Sequence, residues 1–124
     1  MSYIDGFVLA VPTANRETFR DYATRTDSIF IEMGALRVIE CWGDDVSEGK
    51  LTDFRKAVQA KEDEAVVFSW IEWPDKATRD AAMAKMMSED FKDERMDMEK
   101  NPMPLDGKRL IYGGFAPLVE LKGE

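Results

Sequence analysis

Five side chains on predicted strands, Glu40, Trp42, Trp70, Glu72 and Tyr112, are of the types that build a pocket able to bind and to move protons. A carboxyl group among aromatic walls has its charged form disfavoured, so it can give or take a proton near neutral pH. Indole and phenol groups shape such walls and donate hydrogen bonds. The same five residues have a structural reading, in which the rings are interface core and the carboxylates pair with Arg37, Arg55 or Arg109. Asp53 and Arg55 flank Phe54, with Asp44 and Asp45 upstream. A loop carrying opposite charges can serve as a lid or substrate clamp, with Arg55 gripping a carboxylate or phosphate through two parallel hydrogen bonds, or as a latch between subunits. These seven residues are the candidate ligand-binding set, and no residue is singled out as catalytic.

The composition closes off most other chemistry. The chain has no histidine, which removes the commonest general base, metal ligand and haem ligand. Cys41 is the sole cysteine; it sits mid-strand as a compact hydrophobe, and without histidine a thiolate there would need a carboxylate or lysine as its base. Met83, Met86 and Met87 lie at helical spacing, which suits gap-filling on an apolar face and could also suit a soft metal. No Cys-x-x-Cys or carboxylate-loop pattern supports zinc or calcium, and Gly113-Gly114 falls late in a strand, where paired glycines mark a bulge or a close backbone approach. No metal and no cofactor is expected. With 17 Lys+Arg against 25 Asp+Glu the formal charge is −8, which argues against nucleic acid or an anionic membrane as partner. No window approaches the roughly 18 apolar residues of a membrane span. The N-terminus lacks a basic region of the signal-peptide kind, and the lone cysteine suits a reducing, cytoplasmic setting.

The elements that must position these residues follow from periodicity and punctuation. Tyr3–Val11 is rich in β-branched and aromatic residues and stops at Pro12, which predicts a strand. Thr13 or Asn15 can cap a helix over Glu17–Met33, whose stripe is Phe19, Tyr22, Ala23, Thr26, Ile29, Phe30 and Met33, and Gly34 can end it. Leu36–Trp42 is a second strand and Glu64–Trp73 a third, the latter ended by Pro74. Asp75 then caps a helix running to about Met87. Lys108–Phe115 is a fourth strand. Ser88–Lys100 is predicted as a short helix packed by Phe91, Met96 and Met98. Residues 45–63 are too long for a structureless connection, so part of them should be ordered as a short strand or a turn of helix. Ala116–Glu124 is expected to add an edge strand or an arm to a neighbour. Strand, helix, strand twice over in one 124-residue domain is the α+β pattern of a ferredoxin-like βαββαβ sandwich, with a four-stranded antiparallel sheet and helices on one face.

Alternation along the strands divides the sheet into two rows. The row expected to meet the helices is Ile4, Val8, Ala10, Ile39, Cys41, Val67, Ser69, Ile71, Ile111 and Gly113. The other holds Tyr3, Asp5, Phe7, Leu9, Val38, Glu40, Trp42, Val66, Phe68, Trp70, Glu72, Leu110, Tyr112 and Gly114. An aromatic face of that size exceeds what a soluble monomer displays, so a second copy of the sheet is expected to cover it in a two-fold homodimer that encloses a barrel-like interior.

Four stretches carry a resemblance to a known family: Glu40-Cys-Trp-Gly-Asp-Asp45, Thr52-Asp-Phe-Arg-Lys-Ala-Val-Gln59, Val67-Phe-Ser-Trp-Ile-Glu-Trp-Pro74 and Asn101-Pro-Met-Pro-Leu-Asp-Gly-Lys-Arg-Leu-Ile-Tyr-Gly-Gly-Phe115. Over about Tyr3 to Leu121 the chain resembles the DUF1428 or YbaA-like family of small uncharacterised bacterial proteins. The resemblance implies a dimeric α/β-barrel of the ferredoxin-like kind and supplies no activity. The expected function is binding of a small, partly apolar or aromatic molecule in a sheet-lined interior. Two alternatives stand beside it: a cofactor-independent monooxygenase-like enzyme by fold analogy, and a structural or interaction protein with a filled interior and no ligand.

Overall fold

The computed structural model describes residues 2–123. Strand β1 (Tyr3–Pro12) leads through a 3₁₀ turn at Thr13–Asn15 into helix α1 (Arg16–Glu32), which returns as β2 (Arg37–Trp42). A one-turn helix α2 (Phe54–Ala57) precedes β3 (Glu64–Trp73) and helix α3 (Lys76–Met86), and β4 (Ile111–Phe115) closes the sheet. The order β2-β3-β1-β4, with every neighbouring pair antiparallel, is the ferredoxin-like α+β arrangement. Among the described residues no helix is long and apolar enough to cross a membrane.

The punctuation acts as its chemistry demands. Asp75 caps α3 by accepting from the Thr78 amide at 2.7 Å, and Asp53 caps α2 by accepting from the Lys56 amide at 2.7 Å. Gly34, at φ +109°, ends α1 in a conformation that side chains disfavour. Two expectations fail. Ser88–Lys100 forms bends and a 3₁₀ turn at Glu94–Met96 rather than a helix, and both Met96 and Met98 are exposed. Its aspartates explain this: Asp93 and Asp97 accept from the Arg95 and Glu99 amides two residues on, local bonds that compete with helix hydrogen bonding. Among the described residues after β4 the tail adds no strand, and Leu118, Val119 and Leu121 are exposed.

The expected division of the strand rows is corrected in two respects. Helices α1 and α3 pack on the row that begins Tyr3, Asp5, Phe7, Leu9, not on the small aliphatic row: Leu9 and Val11 cluster with Phe19 and Ala23, and Ile71 and Trp73 cluster with Ala35 and Ala82. Strand β3 alone faces as expected, so the expected rows mix the two faces and the inversion falls on β1, β2 and β4. Register pairs Leu9 with Val67, Phe7 with Ser69 and Asp5 with Ile71, so Val67, Ser69 and Ile71 face the helices while Val66, Phe68, Trp70 and Glu72 face away. The face without long helices therefore carries Ile4, Val8, Ile39, Cys41, Phe68, Trp70, Ile111 and Phe115. Its Ala10–Val66 corner is covered by Val58 beside α2, and Phe54 of α2 packs against Phe68 with ring centres 5.9 Å apart.

A buried polar knot ties α3 to the sheet. Asp5, 4% exposed, accepts from the Trp73 indole at 2.9 Å and from Arg79 Nη2 at 2.9 Å. Gly114 lies opposite Asp5, where an added Cβ would strike the Tyr3 hydroxyl and stand 2.8 Å from Arg79 Nη2. The close approach expected of the paired glycines thus has a specific reason. Removing the carboxylate strands a guanidinium and an indole N–H, so Asp5→Ala should lower the unfolding free energy in urea by about 3 kcal/mol. A loss under about 1 kcal/mol, the worth of a surface pair, would show that the knot does not anchor α3.

Candidate functional site

Helix α1 crosses the sheet with Phe19, Ala23, Thr26 and Ile29 buried beneath it. Asp27 falls on the same stripe, four residues after Ala23 and three before Phe30, so the helix carries a carboxyl group to its half-buried flank. Strand β2 presents Val38, Glu40 and Trp42 toward that flank.

Between α1 and the sheet lies a cleft in two adjoining parts. The outer part, about 420 Å³, is lined by Arg16, Arg20, Thr24 and Trp42, with the Arg16 guanidinium 5.5 Å from the Trp42 ring centre. The inner part, about 190 Å³, is mostly apolar, walled by Phe7, Leu9, Phe30, Met103, Leu105 and Leu110. Phe19, Ala23, Asp27, Val38 and Glu40 line both. The outer wall of the inner part comes from the long connection after α3, which is fastened to α1 at several points. Asn15 donates to the Pro104 carbonyl at 3.0 Å, Arg25 donates to the buried Asn101 side chain at 2.7 Å, and Arg95 forms a two-pronged ion pair with Glu32 at 2.6 and 2.9 Å.

At the junction of the two parts the Asp27 and Glu40 carboxyl groups stand side by side. Two neighbouring carboxyl groups repel as anions, so a proton held by one of them relieves the repulsion. Burial and then the neighbouring Glu40 carboxyl group push Asp27 up from its ordinary 3.8 to about 9. Asp27 therefore keeps its proton at neutral pH and offers a donor beside a second carboxyl group. Tyr22 beside it is also raised, by burial and then by the Asp27 charge, so its phenol stays neutral.

The structure brings together only part of the expected residue set. Glu40 and Trp42 line the cleft. Tyr112 is on the same side of the sheet but on the edge strand, 76% exposed and stacked on Phe7. Trp70 and Glu72 lie on the opposite face, where the Trp70 indole donates to Glu72 at 2.9 Å and Arg37 stands 4.0 Å from the same carboxylate. Asp53 and Arg55 are engaged within their own segment: Asp53 caps α2, and Arg55 donates to the carbonyls of Glu64 at 2.9 Å and Lys61 at 2.6 Å. Cys41 is half-buried on the face away from the helices. Asp27, Arg16 and Arg20 were missed by sequence reasoning. The signal for Asp27 was an acid at a stripe position of an amphipathic helix; nothing comparable marks the two arginines.

A family model described as "Protein of unknown function (DUF1428)" matches residues 2–107. The uncharacterised protein YbaA of Escherichia coli strain K12 is 53% identical over 120 residues, covering 97% of this chain and 99% of that one, and YbaA of Shigella flexneri matches to the same extent. A crystal structure of a dimeric ferredoxin-like protein from an uncultured marine organism has a TM-score of 0.56 at 14% identity, over 97% of this chain and 98% of that one. That likeness bears on fold alone.

The acid pair has a consequence for stability. Because the folded protein retains a proton that the unfolded chain releases, this contribution is full below about pH 4 and is lost as pH rises through about 9. Glu64 and Asp93 have pKa values lowered to about 2 by Arg109 and Arg95, so both stay ionised in the folded protein and their opposite slope is confined to below about pH 5.5, where the unfolded chain takes up their protons. Charged or titratable groups facing the pair are Arg16, Glu17, Arg20 and Tyr22. Asp27→Asn should flatten the fall in thermal midpoint between about pH 5 and 9 and leave the variant relatively more stable at the alkaline end. Parallel pH profiles for the two proteins would contradict the retained proton.

Proposed function

The chain belongs to the DUF1428 family, and from that premise we propose that it is a homodimeric small-molecule-binding protein whose ligand enters the cleft under α1. The observation that carries this reading is the Asp27–Glu40 pair at the junction of an apolar chamber and an open, arginine-lined mouth. A volume of about 420 Å³ with converging polar groups is on the scale of a ligand site. The inner chamber suits an apolar or aromatic tail, and the acid pair suits one oxygen or nitrogen function beside it. Glu40, Trp42, Asp27 and Arg16 are the proposed ligand contacts. The ligand then sits between sheet and helix rather than between two sheets.

The dimer is proposed from the other face. Exposed Phe68, Ile111 and Phe115 join Ile4, Val8, Ile39 and Trp70 in one apolar surface, and the chain's own tail does not fold over it, with Leu118 97% exposed. A second copy of the same face would cover it by two-fold symmetry. The dimeric description of the marine ferredoxin-like protein supports this assembly. On this reading Trp70 and Glu72 are interface residues, and Asp53 and Arg55 shape the segment at its margin.

Native mass spectrometry of protein purified from its own host tests both parts together. The expected spectrum is a dimer with a retained small molecule that Asp27→Asn releases, and Ile111→Lys should convert the dimer to monomer. A wild-type single-chain species at micromolar concentration would overturn the dimer; a dimer whose mass shows no adduct and which binds none of a panel of aromatic acids, ketones and amines would overturn the cleft.

A further inference from the structure

We infer that the cleft catalyses keto–enol proton transfer on a carbonyl compound with an apolar or aromatic tail, using the Asp27 and Glu40 carboxyl groups that line both of its parts as paired acid and base. The inference rests on the cleft being a ligand site and adds a reaction to it. Its first support is that the other acid clusters are closed by cations. Asp5 is held by Arg79, Glu64 by Arg109, and Glu32 and Asp93 by Arg95. Among the described residues no arginine or lysine forms an ion pair with Asp27 or Glu40. Their charge and proton face a cavity instead.

Enolisation needs a base at the carbon next to a carbonyl and an acid at the carbonyl oxygen in the same encounter. A pair that holds one proton supplies both. The Glu40 carboxylate takes the proton from the α-carbon, and the electrons of that C–H bond become the C=C bond. The carbonyl π electrons form the new O–H bond with the proton given by Asp27. The pair ends with its single proton on Glu40 and its single charge on Asp27. Passage of the proton from Glu40 back to Asp27 restores the starting state, so no oxidant, reductant or cofactor is consumed. The reverse sequence ketonises the enol.

The surroundings favour this use. The mostly apolar part of the cleft beyond the pair holds the substrate tail. Arg16 and Arg20 line the wide outer part, where a carboxylate next to the ketone would lie. The arrangement thus suits aromatic 2-oxo acids among enolisable compounds. Histidine, the usual residue for such work, is absent from the chain, and two carboxyl groups of unequal burial replace it.

Phenylpyruvate is a suitable probe. In deuterated buffer near neutral pH, loss of its benzylic proton signal follows enolisation, and amide shifts of labelled protein report its occupancy of the cleft. Wild-type protein should accelerate the exchange on the order of a hundredfold over the same buffer. Glu40→Gln should abolish the acceleration while phenylpyruvate still shifts the cleft amides. Glu40 reaches solvent, so this variant keeps the fold, and Asp27→Asn, checked by circular dichroism, provides the second arm. Cleft shifts with exchange at the buffer rate would overturn the proton transfer and leave the binding site standing. Absence of cleft shifts at millimolar phenylpyruvate would overturn the substrate class, while acceleration that persists in both variants would overturn the role of the pair.

Discussion

A four-stranded sheet has two faces, and a chain with two helices of three turns or more can cover only one. The remaining architecture is organised around that shortage. Helices α1 and α3 occupy the side bearing Phe7, Leu9, Ile71 and Trp73, while the short α2 reaches the Ala10–Val66 corner and Phe68 on the other side. Even the covered face is incompletely filled. Helix α1 turns Asp27 toward the sheet, and the connection after α3, rather than a third helix, forms the outer wall of the inner chamber. An uncovered apolar face and an incompletely filled helix layer are two results of the same constraint, and they support an assembly surface and a ligand site respectively.

Polar groups are distributed between these regions in a way that separates support from chemistry. Asp5 with Trp73 and Arg79, Glu64 with Arg109, and Asn101 with Arg25 each close a hydrogen-bonding set inside the fold. Among the described residues no buried side-chain polar atom lacks a partner. Such closed sets hold α3, the β3 start and the long connection in place, because removing one member would leave another buried without water. The Asp27–Glu40 pair is satisfied differently, by retaining a proton. A proton can leave, which a guanidinium cannot do at ordinary pH, so this is the polar set able to change state.

Element boundaries were readable wherever punctuation and periodicity agreed. Pro12, Gly34, Pro74 and Asp75 delimit strands and helices close to where the sequence placed them, and βαββαβ order followed. Face assignment was harder. On β1 both rows are apolar or aromatic, with Tyr3, Phe7 and Leu9 on one side and Ile4, Val8 and Ala10 on the other, so a period of two has no contrast to read. The pairing of Leu9 with Val67 settles the phase, and that is a tertiary fact. The same ambiguity on β2 brought Glu40 and Trp42 into one set with Trp70 and Glu72. Asp27 went unread because a charged residue within a helix is ordinarily assigned to solvent, although its spacing from Ala23 and Phe30 places it beside the core. At Ser88–Lys100, local aspartate–amide bonds outweighed a weak apolar pattern.

The central claim is that Asp27 keeps its proton at neutral pH beside Glu40 inside the cleft. Carbon-13 NMR of the side-chain carboxyl groups, followed from acid to alkaline pH, reads it directly. Asp27 should keep the shift of a protonated carboxyl through pH 7 and titrate near 9, moving toward the ordinary aspartate range in Glu40→Gln. An Asp27 signal that titrates near pH 4, with no response to Glu40→Gln, would contradict the account.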